Sequence, residues 1–117
     1  MSCKKDVVAQ ASSASTQINK IVYYRWNDSA GALQIWTAKY DGTAKTLINI
    51  SLPTGMEFDD DTLPKLSPDG TKVFFTSLTP NVGNTDRDIY VVNIDGTNLT
   101  KIIDATGDDE VAIGGAY

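Results

Sequence analysis

Histidine is absent from the 117 residues, and cysteine occurs once, at Cys3. No disulfide can close within the chain. Zinc sites built from His and Cys are excluded, and so is any nucleophile activated by a histidine base. No apolar run approaches the ~20 residues that a helix needs to span a bilayer. Basic residues are outnumbered, 10 against 15 acidic, for a net charge of −5. A protein that tracks nucleic-acid phosphates needs a basic face, so that class is disfavoured. What remains is an ordinary folded composition, 41% hydrophobic and 21% charged, in a length that suits one domain with a modest core.

The chain repeats itself about one and a half times. Residues 63–103 read Leu63-Pro-Lys-Leu-Ser-Pro-Asp-Gly-Thr-Lys-Val-Phe-Phe, then Asp88-Ile-Tyr-Val-Val-Asn-Ile-Asp-Gly-Thr, then Leu99-Thr-Lys-Ile-Ile. An earlier copy reads Lys20-Ile-Val-Tyr-Tyr, Gln34-Ile-Trp-Thr-Ala-Lys-Tyr-Asp-Gly-Thr and Thr46-Leu-Ile. Runs rich in β-branched and aromatic residues, bounded by Gly, Pro and Asp, predict strands. They are expected at 20–25, 34–40 and 45–50 in the first copy and at 63–67, 72–77, 88–94 and 99–103 in the second. Ile21-Val-Tyr-Tyr and Val73-Phe-Phe do not alternate cleanly, which suggests that both faces of these strands are covered. Ser12–Gln17 is too short, and lacks the apolar stripe, for a stable helix.

The turns are the sharpest local signal. Asp41-Gly42 and Asp95-Gly96 stand between strand-like runs, where glycine accepts the positive φ of a hairpin turn. At Ser67-Pro68-Asp69-Gly70, Pro68 pre-sets φ at the first corner and Gly70 suits the last. A period near fifty residues with four strands per unit fits propeller blades rather than a helical solenoid.

The Ser-Pro-Asp-Gly turn, the Ile-Tyr strand, the Asp-Gly turn and the Leu-Thr close of the second copy together resemble the TolB-like (WD40-like) β-propeller repeat. The first copy matches in Ile35-Trp36, Asp41-Gly42-Thr43 and Thr46-Leu47-Ile48 and lacks the opening turn. The resemblance implies an all-β fold of antiparallel four-stranded blades. Residues 20–50 are then strands b to d of one blade, 63–103 are a complete blade, and 111–117 are strand a of a third. About two blades' worth of strand leaves blade faces open. The expectation is therefore an incomplete propeller, whose missing blades come from a longer chain or from association of copies; the longer chain is favoured.

Residues 1–19 are small and polar and read as a flexible tether. Ser2-Cys3 before Lys4-Lys5-Asp6 resembles the start of a mature bacterial lipoprotein, in particular of Bacteroidota. That resemblance implies lipidation at Cys3, with Met1 an added start near the cleavage site, and attachment to the bacterial envelope, periplasmic or outer-membrane, through that anchor alone.

Loops between blades are where a rigid scaffold presents binding groups. Two of them are acidic, with Glu57, Asp59, Asp60 and Asp61 in one and Asp108, Asp109 and Glu110 in the other. Clustered carboxylates suit Ca²⁺, with Asp59, Asp60 and Asp61 as the candidate set. No spaced calcium-loop motif is present, and a solvated acidic rim is the favoured reading. Trp26, Asn27, Asp28, Asp86 and Arg87 complete the loop candidates. Core packing is expected for Trp36, which stands where the other copy has Tyr90, and for Trp26, with an exposed sugar or protein contact as the alternative for Trp26. Tyr23, Tyr24, Phe74 and Phe75 are expected to pack between blades. The functional expectation is a non-catalytic module that binds a protein or glycan and needs no cofactor. The alternative is the propeller part of a larger prolyl-oligopeptidase-like or tricorn-like peptidase whose nucleophile lies outside this chain.

Overall fold

The computed structural model describes residues 18–79, 87–105 and 111–117. Eight strands follow in order: β1 (Lys20–Asn27), β2 (Ala32–Lys39), β3 (Thr46–Ile48), β4 (Glu57–Phe58), β5 (Lys65–Leu66), β6 (Lys72–Leu78), β7 (Arg87–Asn93) and β8 (Thr100–Ile103). No helix occurs among the described residues. The strands build two antiparallel sheets, one in the order β1-β2-β3 and one in the order β4-β6-β7-β8 with β5 also on β6. The fold is all-β and open, as expected of stacked blades.

Two elements depart from the sequence reading. The β1–β2 ladder runs on to Asn27↔Ala32, so the expected loop 26–33 shrinks to residues 28–31. There the Asn27 side-chain oxygen accepts the Ala30 N–H at 2.8 Å. The inner strand of the second sheet, expected at 63–67, is split into two pieces. β4 pairs with the end of β6 (Phe58↔Ser77) and β5 with its beginning (Leu66↔Val73). The Asp59 N–H still donates to the Thr76 carbonyl at 3.0 Å. The ladder then lapses across 60–64, a stretch that ends in Pro64, which has no N–H to donate. Residues 111–117, expected as the first strand of a third blade, form no ladder. An inner strand needs the next strand of its own blade as partner, and none of the described strands is left for that role.

The three Asp-Gly-Thr turns share one chemistry. Asp41, Asp69 and Asp95 each accept, on Oδ1, both the N–H and the hydroxyl of the threonine two residues on. The N–H of Gly42, Gly70 and Gly96 closes the turn onto the carbonyl of Lys39, Ser67 and Asn93 respectively. The glycines have φ of 85°, 74° and 88°, in the region where a Cβ is strained. Ala44 and Asn98, which follow the two equivalent hairpins, adopt φ of 56° and 57°, so the copies match down to the backbone.

The core lies between the sheets. Ile35 and Ile48 of the first sheet meet Val73, Phe75, Tyr90 and Val92 of the second, all nearly inaccessible, with Val22, Tyr24, Phe58 and Leu66 packed around them. A run of rings crosses the seam: Tyr24 to Phe58 at 6.2 Å, Phe58 edge-on to Phe75 at 5.2 Å, and Phe75 stacked with Tyr90 at 5.8 Å. Each such pair adds about 0.5–1.5 kcal/mol beyond the burial itself. Strand alternation then decides the other aromatics. Ile35 and Thr37 face the seam, so Trp36 points away. Contrary to the expectation of core packing, Trp36 is only half-buried. Arg25 lies over its ring at 4.8 Å, and its N–H donates to the Gln34 side chain at 3.0 Å. Tyr23 and Phe74 share this outward parity and are half-buried.

Gly96 has a second role. A Cβ there would collide with the carbonyl oxygen of Asn49 in the chain that leaves the first sheet, whereas one at Gly42 meets nothing. The expected outcome is that Gly42→Ala loses about 1–2 kcal/mol, the cost of left-handed backbone. Gly96→Ala, in the same type of turn, loses at least twice as much in urea unfolding. Equal losses would show that the close approach to Asn49 is not needed.

The turn carboxylates also set a pH dependence. The Thr43, Thr71 and Thr97 hydroxyls, with Ser67 adding to the effect at Asp69, hold the three aspartates below the ordinary carboxylate value. A carboxylate whose folded value lies below its unfolded one contributes stability that is fully present above the unfolded value. That contribution is lost as pH falls through the folded value. Melting temperature is therefore expected to be flat from neutrality to about pH 5 and to fall below about pH 4. Asp69→Asn should flatten that acid limb, and an unchanged limb counts against the turn as its source.

Candidate functional site at the mouth of the seam

Near the end of the β1–β2 ladder stands Trp26, which pairs with Leu33 and is 59% exposed. Below it the chain from Leu52 to Phe58 crosses to the second sheet. Between them opens a cleft of about 450 Å³, lined by Trp26, Gly31, Ala32, Leu33, Leu52, Met56, Glu57, Phe58, Asp60 and Leu78. Its walls are apolar, and its acidic groups, Glu57 and Asp60, are exposed. An indole beside apolar walls and carboxylates can stack on a sugar or on a protein side chain while the carboxylates accept hydrogen bonds.

One wall is held by a buried ion pair. Asp59 is 1% exposed and accepts Arg87 Nε at 2.8 Å and the Thr76 hydroxyl at 3.2 Å on Oδ2. Its other oxygen accepts the Asp61 N–H at 3.1 Å. Arg87 reaches on to Asp61 at 3.1 Å. From the first sheet, the Tyr24 hydroxyl donates to the Asp59 carbonyl oxygen at 3.1 Å. Burial, and then the charges of Asp59 and Asp60, push the Tyr24 hydroxyl far above its ordinary pKa, so it remains a donor. The interrupted inner strand is thus fastened to both sheets.

The structure brings Trp26, Glu57 and Asp60 together at the cleft, with Asn27 and Asp28 at the hairpin tip above it. Core packing, the expectation for Trp26, is replaced by exposure at the rim of the cleft. Asp59 leaves the expected solvated rim for the interior, and Arg87 is its partner rather than a free loop residue. Carboxylate oxygens of Asp59, Asp60 and Asp61 lie within 4.8 Å of one another, near enough to hold a cation. Arg87 already pairs with two of the three, so Ca²⁺ would compete with it for their oxygens. Cys3, Asp86, Asp108, Asp109 and Glu110 lie outside the described residues. The sequence reading missed the cleft's apolar lining and the anchoring role of Tyr24. The available signal was the mismatch of Tyr24 with Thr76 at equivalent positions of the two copies.

No protein-family model matches the chain, and no curated protein matches it. Among solved structures, the chain is similar to one described as TolB from Agrobacterium tumefaciens, with a TM-score of 0.53 and 21% identity over 84% of this chain. The fold is part of a β-propeller. The chain spans 35% of the length of that structure's chain. At this identity the likeness concerns fold, and its two stacked sheets are blades.

The ion pair yields a graded test. Asp59→Asn leaves the Arg87 charge half-buried beside a neutral amide and is expected to lose about 1.5–3 kcal/mol, the range for hydrogen bonds to charged groups. Asp61, with its side chain 76% exposed, is a surface partner, and Asp61→Asn should lose less than about 1 kcal/mol. Chemical denaturation measures both, and equal losses would remove Asp59 from its anchoring role.

Proposed function

We propose that the chain is a non-catalytic binding module of the bacterial envelope, tethered through Cys3, which recognises a protein or glycan at the mouth between its blades. The observation that carries this reading is the inter-blade cleft, where an exposed Trp26 faces apolar walls and two carboxylates. A tryptophan 59% exposed beside a preformed cleft adds nothing to the core, and large exposed aromatics are the residues that dominate recognition surfaces. The blade scaffold supports the reading because it holds the hairpin rigidly through the full β1–β2 ladder. The similarity to a TolB structure supports an envelope setting, and the lipoprotein-like start of the chain points the same way.

Trp26 fluorescence, isolated in a Trp36→Phe background, reports the site directly. Titration with oligosaccharides and with extracts of envelope proteins is expected to give a saturable change for one class. Trp26→Ala should then weaken that binder at least about tenfold without altering the circular dichroism spectrum. A binder held equally by Trp26→Ala would place recognition elsewhere on the blades.

A further inference from the structure

We propose that the ligand of the inter-blade cleft is cationic: a segment of a partner protein that presents a lysine or arginine between apolar residues. This rests on the reading of the cleft as a binding site and narrows it to one chemistry. By strand alternation Trp26 stands on the face of β1 that carries Val22 and Tyr24, while Arg25 points the other way, over the Trp36 ring. Among the described residues that line the cleft none is basic, and its ionic groups are the carboxylates of Glu57 and Asp60. Both are exposed, and neither makes an ion pair among the described residues. Arg87 offsets one charge of the neighbouring Asp59 and Asp61, so this wall stays negative. The same field reaches Tyr24, whose hydroxyl is pushed up first by burial and then by the charges of Asp59 and Asp60.

The walls discriminate among occupants. Leu33, Leu52, Phe58 and Leu78 have no polar atom to offer a hydroxyl, and the Met56 sulfur already accepts the Tyr90 hydroxyl at 3.4 Å. A neutral sugar, polar around its rim, would leave hydroxyls desolvated against these side chains. An anion would meet two carboxylates of its own sign. Lysine and arginine match both parts of the cleft at once. Their hydrocarbon stems lie along apolar surface while the charged head stays at the rim, with water and the carboxylates. The face of an exposed indole attracts the same head. A volume of about 450 Å³ falls within the ~300–1,000 Å³ of ligand sites, room for such a side chain together with an apolar neighbour. Complementarity of charge then selects the partner, with the apolar walls holding it.

The probes are the acetylated and amidated peptide Ser-Leu-Lys-Leu-Ser, its counterparts with glutamine or glutamate at the centre, and the neutral sugar maltopentaose. Each is titrated into the chain carrying Trp36→Phe, with Trp26 fluorescence as the readout, and calorimetry serves for Trp26→Ala. The lysine peptide is expected to bind at least about tenfold more tightly than the glutamate peptide, and to weaken several-fold between about 0.05 and 0.5 M sodium chloride. Glu57→Gln with Asp60→Asn should weaken it at least about threefold, and since both side chains are exposed the fold should persist. Asp41→Asn with Asp95→Asn removes equal charge at the far-end turns, where asparagine keeps the acceptor oxygen, and should change affinity less than about twofold. Peptides held equally whatever their central residue overturn the cationic ligand, and so does maltopentaose held in place of the lysine peptide. If Trp26→Ala abolishes that binding, the cleft remains a binding site for another class. Equal losses in the two double variants also overturn the proposal, because the attraction then belongs to net charge. A chain that binds none of the probes, or binds them as well with Trp26→Ala, overturns the reading of the cleft and this proposal with it.

Discussion

Everything in this chain leans on one contact, in which each blade buries an apolar face that it cannot cover alone. Val73, Phe75, Tyr90 and Val92 have no accessible surface worth the name only because Ile35 and Ile48 lie across from them. Fully burying a side chain of this size contributes about 1.5–3 kcal/mol, so the seam outweighs any turn or surface pair in the molecule. The ladders within each sheet supply direction and register. They do not supply a reason for either sheet to exist alone in water, since each would leave an apolar face bare.

Polar groups at the seam are placed to protect that contact. The inner strand of the second blade must cross from the first blade, pair with β6, break at 60–64 and pair again. A break of that kind exposes backbone groups at the edge of a core. Asp59 answers it by turning inward, where Thr76, Arg87 and the Asp61 N–H occupy its oxygens. Tyr24 ties the same stretch to the neighbouring blade through a backbone carbonyl. The cleft above inherits its shape from this fastening, so the ion pair and the binding surface are two aspects of one arrangement. A buried pair of this kind stabilises little by itself compared with apolar packing. Removing Asp59 would take from Arg87 its buried partner and from the Thr76 hydroxyl and the Asp61 N–H their acceptor.

Much of the fold was legible because it is written in local chemistry. Asp-Gly-Thr closes a turn by means of its own side chains, whatever surrounds it, and all three turns stand where the residues placed them. Strand identity and the four-strand period followed from the same punctuation. The candidate site was legible only in part: Trp26, Glu57 and Asp60 were named, but as members of loops rather than as the walls of one cleft. Asp59 could not be told from Asp60 and Asp61 in a run of like residues, because burial separates them and burial is not local.

The sequence by itself determined which segments extend, how they turn, and that the unit repeats, since those depend on φ preferences and hydrogen bonds between residues a few positions apart. Only the tertiary structure decided which face of each strand is inside. Alternation marks two faces without saying which one meets a neighbour, and at equivalent positions the two blades chose opposite ones. That choice put Tyr90 in the core and Trp36 under Arg25. Trp26 stands in solvent at the rim of the cleft for the same kind of reason: a strand obeys its ladder, and its exposure depends on what happens to stand opposite.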